Sequence, residues 1–414
     1  MAPPPSARRL VWLLAFVSLV GYALRTNITI AQEFMAPALG LTMTQMGIIS
    51  AWGFQLAYAL FQLPGGFLGD RFGARAVLGV AIVGWGVASA ATGLVGGGAS
   101  LAFALLFGAR VLLGAAEGAL YPIAALATVR HVPSTERLGA TSLWIASAAV
   151  GMALAPLTLA PLMVAAGWRA VFVASAVVAF LTAGLWFALA PRDTPAGGTV
   201  AQPAPPRLPV GVQLRQSLAL LREPRLLLLS ASYFLHSAVF FVFVFWFFRY
   251  LTEGRGFSVL AGGVWGSVPH LMACVLAPLV GRAADALARR GDPTAARRRV
   301  AMGCLLVAAT FVLVGANAPS AVLAILALGL SESCLISAEA PFWTSATALA
   351  PNAPGAAGGV LNLMGNLGGV VSIWLVPVMT AAWGWSVVLS VWAGVAIIAA
   401  LLWLAVREPT APAR

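Results

Sequence analysis

The chain has 414 residues, of which 61% are hydrophobic and only 9% charged; ordinary soluble domains run at about 45–50% and about 25%. So little polar surface cannot wrap a globule in water, which excludes a soluble enzyme, a disordered chain and a disulfide scaffold. The formal charge of +12 rests entirely on arginine, 24 residues with no lysine.

A helix that crosses a bilayer needs about 20 apolar residues. Such runs occupy residues 11–32, 45–67, 75–96, 101–127, 138–165 and 169–190, and then 226–250, 257–281, 300–317, 320–345, 355–380 and 384–405. The expected fold is therefore all-α, with twelve transmembrane helices. The first run is too long for a cleavable signal, carries Arg25 and Asn27, and is followed by eleven more, so it reads as the first span. With a cytoplasmic N-terminus, 19 arginines fall on inner segments and three outside (Arg169, Arg249, Arg255), leaving Arg25 and Arg110 within spans. That bias predicts a multi-pass protein of the inner (plasma) membrane with both termini cytoplasmic. Arginines facing anionic headgroups account for the basic charge without nucleic acid. Cys274, Cys304 and Cys334 sit in apolar runs as small core residues. The three histidines show no ligand spacing, so no metal site is expected, and no cofactor. His236 and His270 read as satisfied core polar residues.

The Pro/Gly/Ala-rich stretch 191–225 reads as a cytoplasmic linker between two six-helix bundles, 1–190 and 226–414. Two landmarks repeat across it. Gly66-x-x-x-Asp70-Arg71-x-Gly73 follows span 2 and Gly281-x-x-x-Asp285 follows span 8, an Asp-to-Asp offset of 285 − 70 = 215. Gly167-Trp168 opens span 6 and Gly384-Trp385 opens span 12, an offset of 217. Nearly equal offsets indicate a duplicated six-helix unit.

The segment Gly66-Phe-Leu-Gly-Asp70-Arg71-Phe-Gly73-Ala-Arg75 resembles the loop 2–3 motif of the major facilitator superfamily, without its final basic residue. The resemblance narrows to the anion:cation symporters through Tyr22-Ala-Leu-Arg25-Thr-Asn27 in span 1 and Tyr58-Ala-Leu-Phe-Gln62-Leu-Pro64-Gly65-Gly66 in span 2. Arg110-Val-Leu-Leu-Gly114-Ala-Ala-Glu117 in span 4 and Asn362-Leu-Met-Gly365-Asn366 in span 11 extend it in the same order. It implies two pseudo-symmetric bundles with spans 1, 4, 7 and 10 around a mid-bilayer cavity. It also implies an inner gate latched by Asp70 with Arg71 and Arg75, repeated at Asp285.

A charge within a span costs roughly 2.5–3.5 kcal/mol on insertion scales, so each needs a reason. The planar guanidinium of Arg25 suits a bidentate grip on a carboxylate, and Tyr22 shares its helix face. The resemblance gives Arg25 the role of substrate anchor. Arg110 and Glu117 are seven apart, about 10 Å along one face, too far to pair directly but able to reach span 1. The resemblance makes Glu117 a carboxylate protonated during transport. Leu24 stands where bacterial relatives commonly carry a second titratable Asp. Glu332 and Glu339 share a face of span 10 and read as relocated proton sites, as ligands for a cationic group, or as hydrogen-bonded structural carboxyls. Tyr58 and Trp343 are expected to line the cavity, and Asn362 and Asn366, an i, i+4 pair, to point at substrate hydroxyls.

Together these readings predict a monomeric secondary transporter, not an enzyme, that carries a small organic anion with protons by alternating access. The alternative is a proton-coupled efflux antiporter, which usually carries a Gly-rich Gly-Pro element that 151–156 (GMALAP) matches only loosely. A non-transporting receptor would need a larger soluble domain than the sequence offers. No Walker A segment is present, so ATP is not the driver.

Overall fold

The computed structural model describes residues 5–192, 209–257 and 259–406. Residues 193–208 of the expected linker, Arg207 among them, and Arg407 and Arg414 lie outside the described residues. Among those described, the chain is helical with no strand, and twelve long helices follow in order. They are α1 (Pro5–Ala38), α2 (43–72), α3 (Ala74–Gly93), α4 (Ala99–His131), α5 (137–166) and α6 (168–189). The second set is α7 (Pro224–Arg249), α8 (259–290), α9 (Pro293–Asn317), α10 (Ala321–Leu349), α11 (354–383) and α12 (385–402). Gly167 (φ 81°) separates α5 from α6 and Gly384 (φ 74°) separates α11 from α12. Both adopt a left-handed turn that residues with a Cβ rarely take, and each is followed by tryptophan.

Several helices outrun their apolar runs. The expected span 300–317 begins at Pro293, because the Asp292 side chain accepts from the Thr294 and Ala295 N–H groups and so starts the helix. Arg297, Arg298 and Arg299 are then helical, although a hydropathy window passes over them. Two of the arginines that the expected topology places outside have local work to do. Arg169 donates to Val95 O (2.8 Å) beyond α3, and Arg255 donates to Gly315 O and Ala318 O (both 2.9 Å) at the end of α9. A cation at a helix C-terminus satisfies its orphan carbonyls.

The residues fall into two compact units. The first takes the chain up to His131, with Ser147–Leu214 and Ala353–Gly359; the second takes Val132–Ala146, Arg215–Asn352 and Val360 onward. These bounds differ from the sequence division at 190 and 226, because the segments 132–146 and 353–359 are held by contacts rather than by chain order.

The repeat seen in sequence reappears in the packing within each unit. In the first, Gly151 of α5 lies so close to Leu19 O of α1 that a Cβ would collide with it; in the second, Gly368 of α11 does the same against Phe234 O of α7. The offsets are 368 − 151 = 217 and 234 − 19 = 215, matching those of the two motifs.

Helix α2 is irregular. Residues Ile49–Leu56 form a π-helical stretch, and a break at Phe61 (φ −85°, ψ 0°) follows one turn later. Gly114 and Gly118 of α4 lie directly against the Phe54 and Tyr58 backbone there, so the two helices approach at backbone contact. Gly114→Val is expected to destabilise the protein by about 1–3 kcal/mol or more through overpacking, seen as a lowered melting temperature in detergent. An unchanged melting temperature would mean that the approach is not fixed by this glycine.

Candidate functional site

The first unit gathers its buried charges around α1. Arg25 Nε donates to Glu117 Oε2 at 2.9 Å, joining α1 to α4. The Glu117 side chain is fully buried while that of Arg25 is 19% exposed, so the guanidinium is the accessible member of the pair. Aromatic rings surround it: the Arg25 Cζ lies 4.2 Å from the Tyr58 ring centroid, 4.5 Å from Tyr22 and 5.0 Å from Phe54. The irregular α2 supplies Phe54 and Tyr58, so the π stretch and the glycines behind it set this cage. Ring faces attract a guanidinium and hold its plane.

Arg110, also buried, does not pair directly with Glu117. Its Nη2 donates to Asn27 Oδ1 of α1 at 3.4 Å, and Asn27 donates onward to Ser175 Oγ at 3.3 Å. Three buried polar atoms, Arg25 Nη2, Arg110 Nε and Glu117 Oε1, have no hydrogen-bond partner among the described residues. Unsatisfied buried groups of this kind are costly and uncommon in stable cores. The network therefore has unused donors and an unused acceptor.

The second unit holds the other candidates. Glu339 Oε2 accepts from Tyr233 OH (2.7 Å) and Trp343 Nε1 (3.1 Å). Glu332 instead meets His270 of α8, Nδ1 to Oε1 at 2.5 Å. Two carboxylates on one face of α10 thus take partners from different helices, Glu339 from α7 and Glu332 from α8. His236 lies against Leu335 O at 2.9 Å and stacks beside Tyr233. Asn366 Nδ2 donates to Asn362 O at 2.8 Å, so the asparagine pair is adjacent as its spacing requires.

At the ends of α2 and α8 the repeated aspartates each cap a helix start. Asp70 accepts from the Gly355 and Ala356 N–H groups, both at 2.9 Å, at the start of α11. Asp285 accepts from Gly139 N at 3.0 Å at the start of α5. Again the offset holds, 355 − 139 = 216. A carboxylate on free helix N–H groups is a favourable cap. Arg71 reaches Gln213 (3.3 Å) and Arg75 reaches Phe187 O, while Arg130 donates to Asp70 O at 3.5 Å. The motif spacing did not point to Arg130, since in sequence it is one of many inner arginines.

Burial pushes the Asp70 carboxyl up to about 6, against the opposing pull of its two N–H donors and Arg130. An undocked carboxyl titrates near 4, so the docked state binds the proton more tightly. The docked contact is then expected to gain stability as pH falls from 7 toward 5. Melting temperatures of wild type and Asp70→Asn across that range test this: the variant should lack the gain on acidification, and identical profiles would refute it.

A duplicated six-helix unit with charges buried inside its spans and paired caps at its helix ends has the architecture of a membrane transporter. The model of the Major Facilitator Superfamily matches residues 11–373, and the chain belongs to that superfamily. It is 28% identical to the D-galactonate transporter of Escherichia coli O6:H1, over 97% of this chain and 96% of that one. To the probable galactarate/D-glucarate transporter of Escherichia coli K12 it is 30% identical, over 88% of this chain and 86% of its relative. In fold it resembles the proton:xylose symporter XylE bound to 6-bromo-6-deoxy-D-glucose, with a TM-score of 0.74, 14% identity and coverage of 97% and 96%. The chain is a transporter, not an enzyme.

Proposed function

We propose that this protein imports a sugar acid or similar small carboxylate together with protons across the plasma membrane, working by alternating access with both termini in the cytoplasm. The observation that carries the reading is the Arg25–Glu117 pair at 2.9 Å within a ring cage. A caged guanidinium that is partly accessible is a carboxylate receptor, and here it already holds an internal carboxylate. Substrate and ionised Glu117 compete for one cation. Protonating Glu117 removes the competitor and frees Arg25; a carboxylate arriving on Arg25 in turn favours the protonated glutamate. Such reciprocity couples the two binding events. Arg110, held by Asn27, keeps a second positive charge near the vacated site. The names of the curated relatives, transporters of galactonate and of galactarate or glucarate, agree with a polyhydroxy carboxylate substrate.

In this reading Tyr22 and Tyr58, beside Arg25 in the first unit, meet the substrate's hydroxyl-bearing part, and Asp70 and Asp285 latch the inner gate with Arg71 and Arg75 alongside. Proteoliposomes should accumulate D-galactonate, galactarate or D-glucarate when the outside is acidic, and lose that accumulation on addition of a protonophore. Accumulation that ignores the pH gradient would sink the proton-coupled reading.

A further inference from the structure

The second unit contains a buried titratable pair that the Arg25 site does not use. Glu332 on α10 is wholly buried, and its Oε1 lies 2.5 Å from His270 Nδ1 on α8. Its other oxygen, Oε2, is buried with no partner among the described residues. The two side chains differ in access: that of His270 is 23% exposed and that of Glu332 is 1% exposed.

A carboxylate that is only structural is normally satisfied at both oxygens, because an orphan acceptor in a low-dielectric interior costs what its desolvation costs. Glu339, two turns further along α10, takes two donors on Oε2, and its Oε1 is not a buried atom without a partner. Glu332 takes one, and that one is an imidazole, the side chain that exchanges protons near neutral pH. The groups around the pair complete the picture. Cys274 lies one turn along α8 within electrostatic reach of Glu332. Cys304 of α9 and Cys334 of α10 interact with each other. His236 of α7 is tied to Leu335 O. Among the described residues, no arginine forms an ion pair with Glu332, so nothing pins it in the ionised form as Arg25 does Glu117.

We propose that His270 and Glu332 form a second proton-binding site, in the second unit, that takes up and releases one proton in each transport cycle. The inference rests on the proton-coupled reading above and adds a stoichiometry to it. The proton comes from water on one side through the exposed imidazole, resides on the pair with Glu332 Oε2 as the open acceptor, and returns to water on the other side. With Glu117, the pair makes two protons per anion. A monocarboxylate would then carry net positive charge inward.

Two measurements test this. The chain has three histidines, so labelled imidazole resonances of the full-length protein can be assigned with His270→Gln. The His270 signal should change between pH 5 and 8, and the change should move by about one pH unit or more in Glu332→Gln. In proteoliposomes with D-galactonate, accumulation should respond to membrane potential in wild type, where two protons per monoanion move net positive charge, and lose that response in Glu332→Gln, where one proton makes transport electroneutral, with counterflow exchange retained. His270→Gln, a milder change at the accessible member, should show the same loss if Glu332→Gln fails to fold. A His270 resonance that is invariant with pH overturns the inference whatever the transport result. A response to membrane potential unchanged by Glu332→Gln also overturns it while leaving the Glu117 reading intact. Wild type without any proton-driven accumulation overturns both.

Discussion

Replacing Arg25 with Ala should abolish anion binding, and replacing it with Lys should come close to doing so. The guanidinium lies among the rings of Tyr22, Phe54 and Tyr58 and meets Glu117 through its Nε. Lysine keeps the charge but loses the planar fork with its several donors. Truncating one member of a buried charge pair typically costs 2–5 kcal/mol, so substrate affinity should fall by roughly two orders of magnitude or more. The alanine variant also leaves Glu117 buried beside Arg110 alone, which should lower thermal stability as well. Lysine separates these effects, since it keeps a cation for Glu117. Equilibrium binding of a labelled sugar acid to purified protein decides the matter. Affinity retained within a few-fold in Arg25→Lys would mean that the site offers only a positive potential.

The second large effect is expected at Glu117. Glutamine there imitates the protonated glutamate, so Arg25 is permanently released from its internal competitor. Binding and exchange of substrate across the membrane should persist, while accumulation driven by a pH gradient should fall well below that of wild type, to no more than one proton per anion can drive. Loss of uptake alone would not distinguish lost coupling from lost binding; counterflow in the same vesicles does. Glu339→Gln serves as a control, since Glu339 receives Tyr233 and Trp343 rather than an arginine. If Glu117→Gln concentrates substrate as wild type does while Glu339→Gln cannot, Glu117 is not a coupling carboxylate.

Both predictions rest on residues that stand out in sequence for one reason. Arg25, Arg110 and Glu117 are charges inside apolar runs, and lipid makes such charges too costly to be incidental. The twelve spans were legible on the same ground, because a bilayer demands unbroken apolar length. The duplication was legible because Asp70 and Asp285, and the two Gly-Trp turns, recur at one offset. The packed structure repeats that offset in features no motif search reads, such as Gly151 and Gly368 against the carbonyls of α1 and α7.

The class of protein, the number of helices, the repeat and the short roster of charges that need a function can all be read along the chain. These follow from local chemistry: composition, run length, and residue types that lipid does not tolerate. Partnership comes from the packing of the helices. Arg25 and Glu117 are 92 residues apart, and Glu332 and His270 are 62 apart, so no spacing rule joins them. Residues 332 and 339 lie on one face of a helix by periodicity, yet α10 packs against α7 and α8, and each carboxylate bonds to whichever neighbour its own turn reaches. His270, one polar residue among many in sequence, gains its significance from a carboxylate carried on another helix. Helical period fixes the direction in which a side chain leaves its helix; what it meets there depends on which helix is packed alongside, and that is set by the whole chain.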